Sequence, residues 1–184
     1  METDDPSNDH SDKKILKLWE YKKQMTIHII EKTQKVGYIR GVLLDVSNIF
    51  NELKGDEALK VLKFKDKEDE EEIKSFFAQV LSRNKSAGTA FYITELFIEK
   101  GFRGQGLGKK IFQVLPDFLH GISKEILYIY LMPGPLEKID GKVEYIMNPK
   151  DEKMVALKNR LIKFYESVGF SRIEDTDFFK EKVS

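Results

Sequence analysis

The chain has no cysteine. Disulfides, thiolate metal sites and a cysteinyl covalent intermediate are therefore excluded. Net charge is lacking as well, because 31 Lys and Arg balance 31 Asp and Glu. A general nucleic-acid binder carries a basic excess, so general nucleic-acid binding is not expected. No apolar run approaches the ~18 residues that a membrane-spanning helix needs, so no membrane contact is expected either. Histidine is scarce, and His10, His28 and His120 share no metal-ligand spacing, so no metal is expected. Met1–Asp12 is polar and acidic with no apolar centre, which excludes a signal peptide and predicts a disordered tail. Together these absences suit a cytoplasmic protein.

What remains is a globular composition. Of 184 residues, 41% are hydrophobic and 11% aromatic, enough for one domain over residues 13–184 with its own core. Alternating apolar residues predict strands over Lys14–Tyr21, Met25–Lys32 and Val36–Ser47. In the third, Val36, Tyr38, Val42, Leu44 and Val46 fall on one face. Short polar connections between them predict an antiparallel meander. Asn48–Phe64 reads as a short helix and a loop. Lys67–Ser82 reads as a helix with Ile73, Phe76, Phe77, Val80 and Leu81 on one stripe. The acidic run Asp66–Glu72 fits its first turn, where the helix dipole favours anions; a site for a cationic substrate is the alternative.

Thr89–Ile98 is rich in β-branched and aromatic residues and predicts a strand. A helix is expected from the glycine-rich stretch that follows to about Leu119. Its expected buried stripe is Leu107, Ile111, Val114, Leu115 and Phe118, with Pro116 kinking it or ending it early. Ile126–Leu131 predicts a buried strand. Met132–Lys150 reads as a long loop, marked by Met132-Pro-Gly-Pro135. Asp151–Val168 predicts a helix with Met154, Leu157, Leu161, Phe164 and Val168 inward and Gly169 as its cap. Two short strands, Phe170–Ile173 and Asp177–Val183, complete the chain.

The stretch richest in chemistry joins the Thr89–Ile98 strand to the helix after it. Gly101, Gly104, Gly106 and Gly108 let a backbone approach an anion closely, and the free N–H groups of a helix start then bind phosphate. A dinucleotide fingerprint, Gly-x-Gly-x-x-Gly, fails because its last position falls on Lys109 or Ile111. A P-loop fails because Arg103 and Lys110 stand where glycine and Ser or Thr are needed. The pattern that fits is Arg-x-x-Gly-x-Gly at Arg103, Gly106 and Gly108.

With these residues the chain resembles the GNAT superfamily of N-acetyltransferases. A second stretch, Phe164-Tyr165-Glu166-Ser167-Val168-Gly169-Phe170, resembles the aromatic-tyrosine helix end that the family carries downstream. The likeness covers Thr89–Ile173 well. It implies an α/β fold in one domain. Its central sheet would be mixed and mostly antiparallel, of about seven strands flanked by helices, with a splayed central pair binding coenzyme A. It implies acetyl-CoA as co-substrate and direct attack by a primary amine in a ternary complex.

The resemblance assigns the pyrophosphate loop to Arg103, Gly104, Gln105, Gly106, Leu107, Gly108 and Lys109, and the pantetheine-pairing strand to Leu96, Phe97 and Ile98. Lys110 is a further candidate for a CoA phosphate. Tyr165 becomes the candidate general acid for the departing thiolate. Glu95 becomes a candidate general base, direct or through water; an ion pair or a contact to the substrate amine is its other reading. Alternation places Glu95 on the face of Ile93 and Phe97. The family often has asparagine seven residues before the tyrosine, touching the CoA arm; here Lys158 stands there, beside Asn159, and becomes the candidate for that coenzyme contact. The acceptor is a small-molecule or peptide amine, with a protein or tRNA-borne amine as a variant, and the protein a monomer or homodimer. A non-catalytic acyl-CoA-binding module is the competing function.

Overall fold

A computed structural model describes residues 22–47, 74–76, 78–80, 88–146 and 148–183. The expectations for Met1–Asp12, the strand Lys14–Tyr21, the segment Asn48–Phe64 and the acidic run Asp66–Glu72 lie outside those residues, as does most of the expected helix Lys67–Ser82.

Among the described residues, six strands form one mixed sheet. β1 (Lys22–Glu31), β2 (Gln34–Asp45) and β3 (Thr89–Ile98) pair antiparallel in that order. β3 then pairs in parallel with β4 (Ile126–Leu131). β8 (Phe179–Lys182) and β7 (Ser171–Arg172) extend the sheet antiparallel beyond β4. Between β3 and β4 runs α1 (Leu107–Ile122), the crossover that a parallel pair requires. α2 (Glu152–Ser167) precedes β7. The architecture is the mixed, mostly antiparallel α/β sheet flanked by helices that the chain was expected to form.

The main core joins the sheet to both helices. Ile93, Ile111, Phe112, Ile129, Tyr165 and Phe179 are among its buried members. On the other side, Phe76, Tyr92, Tyr130 and Phe178 form a second, aromatic cluster, with Phe76 and Tyr92 ring centroids 4.5 Å apart. The buried Phe76 and Val80 belong to the expected helical stripe over residues 67–82.

Several local expectations are corrected. The early end at Pro116 does not occur: α1 passes through it and continues to Ile122. The proline withholds one helical N–H, but Leu119 beyond it is wholly buried and anchors the last turn against the core. The buried stripe of α1 is rotated: Ile111, Phe112, Leu115 and Leu119 face inward, while Val114 is 62% and Phe118 49% exposed. Gly108 sets that rotation, because a Cβ there would lie 2.9 Å from the Phe164 ring, so this face of α1 can approach α2 closely. Phe112 then stacks edge-on against Tyr165 and Phe170.

The segment expected as a loop over Met132–Lys150 contains a hairpin, β5 (Leu136–Ile139) and β6 (Lys142–Tyr145). Its turn is Asp140-Gly141, both at positive φ, the conformation a two-residue type I′ turn demands. On α2, Tyr165 is the buried residue, and the expected inward residues Leu157, Leu161 and Phe164 are half-buried at a cleft. Gly169, at φ 108°, follows the end of α2 as expected of a cap.

Candidate active site

β3 changes character along its length. From Thr89 to Ile93 it is hydrogen-bonded on both sides, to β2 and to β4. β4 ends at Leu131, opposite Ile93, whereas β3 runs on to Ile98 with β2 alone. The reason is in the residues after Leu131. Pro133 and Pro135 are both buried and neither has an N–H to donate, so Met132–Pro135 cannot extend the ladder. The chain diverges from β3 and opens a gap in the middle of the sheet.

A bulge at the same place re-aims the side chains. Arg40 pairs with Glu95 but Gly41 pairs with Ile93, which leaves Thr94 as an extra residue in β3. Alternation therefore reverses: Leu96 and Ile98 pack towards the main core with Phe91 and Ile93, and Glu95 and Phe97 turn to the opposite face. The expectation that Glu95 shares a face with Ile93 is corrected by this bulge; its sharing a face with Phe97 stands. A second bulge, between Ile29 and Ile30, leaves Val36 unmatched in β2 and turns it into the main core, off the face of Tyr38.

The gap opens into a cleft of about 470 Å³. One wall is the end of β3, at Leu96, Phe97 and Ile98. A second is the glycine loop and the start of α1: Phe102, Arg103, Gly104, Gly106, Leu107, Gly108 and Lys109. A third is α2, through Leu157, Leu161, Phe164, Tyr165 and Ser167. The approach to the hairpin closes the fourth side with Gly134, Pro135, Leu136 and Glu137. Gly134 lets Tyr145 pack flat on the backbone there, since a Cβ would overlap its ring. An ion pair of 3.3 Å between Lys138 and Glu99 ties the hairpin to the end of β3.

The loop leaves its backbone open to the cleft. After a single 3-10 turn, Lys100–Phe102, Gly104 and Gly106 take φ of 74° and 78°, and no atom lies within 4 Å of a Cβ at either. Gly106 caps α1 in the left-handed conformation. Gly106 has no side chain to cap the first N–H groups of α1. Arg103 is folded across the cleft wall. Its Nε donates to the carbonyl oxygen of Ile98 at 2.7 Å, and its guanidinium lies 5.3 Å from the Phe97 ring centroid. Gln105 points elsewhere, its amide donating to the Gly101 carbonyl at 2.8 Å.

Tyr165 lines the cleft from within the aromatic packing of Phe112, Phe164 and Phe170. Burial pushes its phenol pKa well above the usual value, so it is held as a neutral hydrogen-bond donor. Glu95 lies outside the cleft lining. Its carboxylate accepts a 2.6 Å hydrogen bond from the Tyr38 hydroxyl and pairs with Arg40. Burial, and then that hydrogen bond, raise the Tyr38 phenol as well. Lys158 also lies outside the lining and faces Asp177 at 3.7 Å, a carboxylate that Arg172 holds at 2.9 Å.

Thus the fold gathers Leu96, Phe97, Ile98, Arg103, Gly104, Gly106, Leu107, Gly108, Lys109 and Tyr165 around one cleft, and leaves Gln105, Glu95 and Lys158 outside it. The hairpin wall was missed, although the Asp140-Gly141 dipeptide was a signal for it. Among the described residues no group of His, Asp or Glu could hold a metal ion, and no helix is long and apolar enough to cross a membrane.

No protein-family model matches the chain, and no curated protein matches it. Solved structures do. A proposed acetyltransferase from Agrobacterium tumefaciens aligns over 99% of this chain and 96% of its own, at 12% identity and a TM-score of 0.42. An aminoglycoside 6'-N-acetyltransferase complexed with coenzyme A aligns over 96% and 82%, at 11% identity and a TM-score of 0.42. Tetrahymena GCN5 aligns over 94% and 76%, at 12% identity and a TM-score of 0.38.

Proposed function

We propose that this protein is an acetyl-CoA-dependent N-acetyltransferase that acetylates a primary amine by direct attack on the thioester. The observation that carries the reading is the convergence of three features on one cleft. These are a glycine loop at an uncapped helix start, a strand edge that its neighbour has left, and a buried neutral tyrosine. The helix start and the positive-φ glycines suit a pyrophosphate. The β3 edge suits an extended ligand arm that carries amides, since a free edge offers main-chain hydrogen bonds in the manner of an added strand.

In this reading the loop Arg103–Lys109 and the edge Leu96–Ile98 fix the thioester, so that attack becomes effectively unimolecular. The amine nitrogen forms a bond to the thioester carbon, the carbon–sulfur bond breaks, and the thiolate leaves. The Ile98 backbone N–H, which alternation turns to the cleft, polarises the carbonyl, a contribution of roughly 3–4 kcal/mol where such donors have been removed elsewhere. Tyr165 donates a hydrogen bond to the sulfur as charge develops. Burial makes its phenol a weaker acid than an ordinary thiol, near ~8.5. Its contribution is therefore stabilisation of the leaving sulfur, with solvent supplying the final proton. Glu95, engaged by Tyr38 and Arg40, orders the far face of β3, and the proton of the attacking amine passes to water.

The test is a thiol-release assay with acetyl-CoA against a panel of small amines, polyamines and peptides. Because the chain has no cysteine, a thiol reagent reports only the released coenzyme. Amine-dependent thiol release is the expected result. Binding of acetyl-CoA with no release on any amine would replace the enzyme by a CoA-binding module.

A further inference from the structure

The end of β3 offers its cleft-side main chain at Leu96 and Ile98. Phe97 directs its carbonyl oxygen at Gly37 of β2, where a Cβ would meet it at 2.3 Å, and the Glu99 N–H donates to Val36 at 2.9 Å. Alternation along the strand therefore turns Ile98 to the cleft. That Ile98 carbonyl is engaged by Arg103, at 2.7 Å, with the guanidinium over Phe97. Arg103 is at once the cation of the glycine loop and the occupant of the strand edge.

We propose that Arg103 is a latch, which closes the β3 edge at Ile98 until an extended ligand arm displaces it and then engages the phosphate end of the same ligand. The proposal rests on the acetyl-CoA reading above and goes beyond it by coupling the two halves of the cleft. The Arg103 side chain is exposed, so it can swing without repacking the core. The Ile98 carbonyl, once free, accepts an amide N–H of the arm. The guanidinium, once free, sits one loop away from the N–H groups of α1 and adds a cation to their dipole.

A latch has a signature that a simple phosphate ligand lacks: its removal acts with opposite sign on the two ends of the coenzyme. The experiment titrates wild type and Arg103→Ala, with folding checked by circular dichroism, against coenzyme A and against pantetheine, which lacks the phosphates. The expected result is tighter pantetheine binding to the variant by about two- to tenfold, the factor that one net intramolecular hydrogen bond corresponds to. Coenzyme A binds the variant more weakly. Pantetheine that binds the variant no more tightly than wild type, undetectable binding to both included, overturns the latch. So does tightening of coenzyme A along with pantetheine. Wild type that fails to bind coenzyme A overturns the cofactor reading itself, and that titration is read first.

Discussion

The two halves of β3 are one continuous strand with different work. Thr89–Ile93 is paired on both sides, and Ala90, Phe91, Tyr92 and Ile93 are all buried. Leu96–Ile98 is paired on one side and forms a cleft wall. The divide is made by two devices at the same height: the Thr94 bulge in β3 and the Pro133/Pro135 segment that ends the ladder with β4. A central strand is the most rigid place in a sheet. Under the proposed function, leaving half of its edge open there supplies a preorganised surface for the coenzyme, because the other half holds it still.

That contrast can be broken or sharpened by substitution. Phe91→Ala in the doubly paired half should cost about 3–5 kcal/mol of stability, read as a fall in the urea midpoint, while the protein that remains folded keeps its affinity for acetyl-CoA. A selective loss of affinity without loss of stability would erase the distinction between the halves. Tyr165→Phe should do the reverse. It should lower kcat by about 10- to 100-fold by removing the hydrogen bond to sulfur, with coenzyme affinity and thermal midpoint nearly unchanged. An unchanged kcat would reduce Tyr165 to a packing residue.

Glu95→Gln should lower kcat/KM less than about threefold and stability by about 1 kcal/mol or less, since its pairing with a half-exposed Arg40 is worth little in water. A hundredfold fall with loss of the acidic limb of the pH profile would restore Glu95 as the general base. Lys158→Ala should shift coenzyme affinity less than about twofold, because its charge is directed at Asp177 outside the cleft. A larger loss would bring Lys158 back to the coenzyme.

Much of this was legible in the chain. The strands Thr89–Ile98 and Ile126–Leu131 have the bounds read from their β-branched and aromatic runs. The loop glycines stand between strand and helix as their spacing required. What escaped depends on tertiary fit. The inward face of α1 could not be chosen among its many apolar positions until Gly108 met Phe164. The direction of Glu95 could not be read by strict alternation because one extra residue at Thr94 reverses it. The continuation of α1 past Pro116 depends on the burial of Leu119, which no local propensity reports.

The most direct test of the central claim is calorimetric titration of acetyl-CoA into wild type and Gly106→Trp. Gly106 caps α1 at φ 78° with open space where a side chain would stand. A bulky residue there strains the turn by roughly 1–2 kcal/mol and obstructs the helix start. The account predicts micromolar binding by wild type and its loss in a variant that remains folded by circular dichroism. Equal binding by both proteins, or none by wild type, would contradict it.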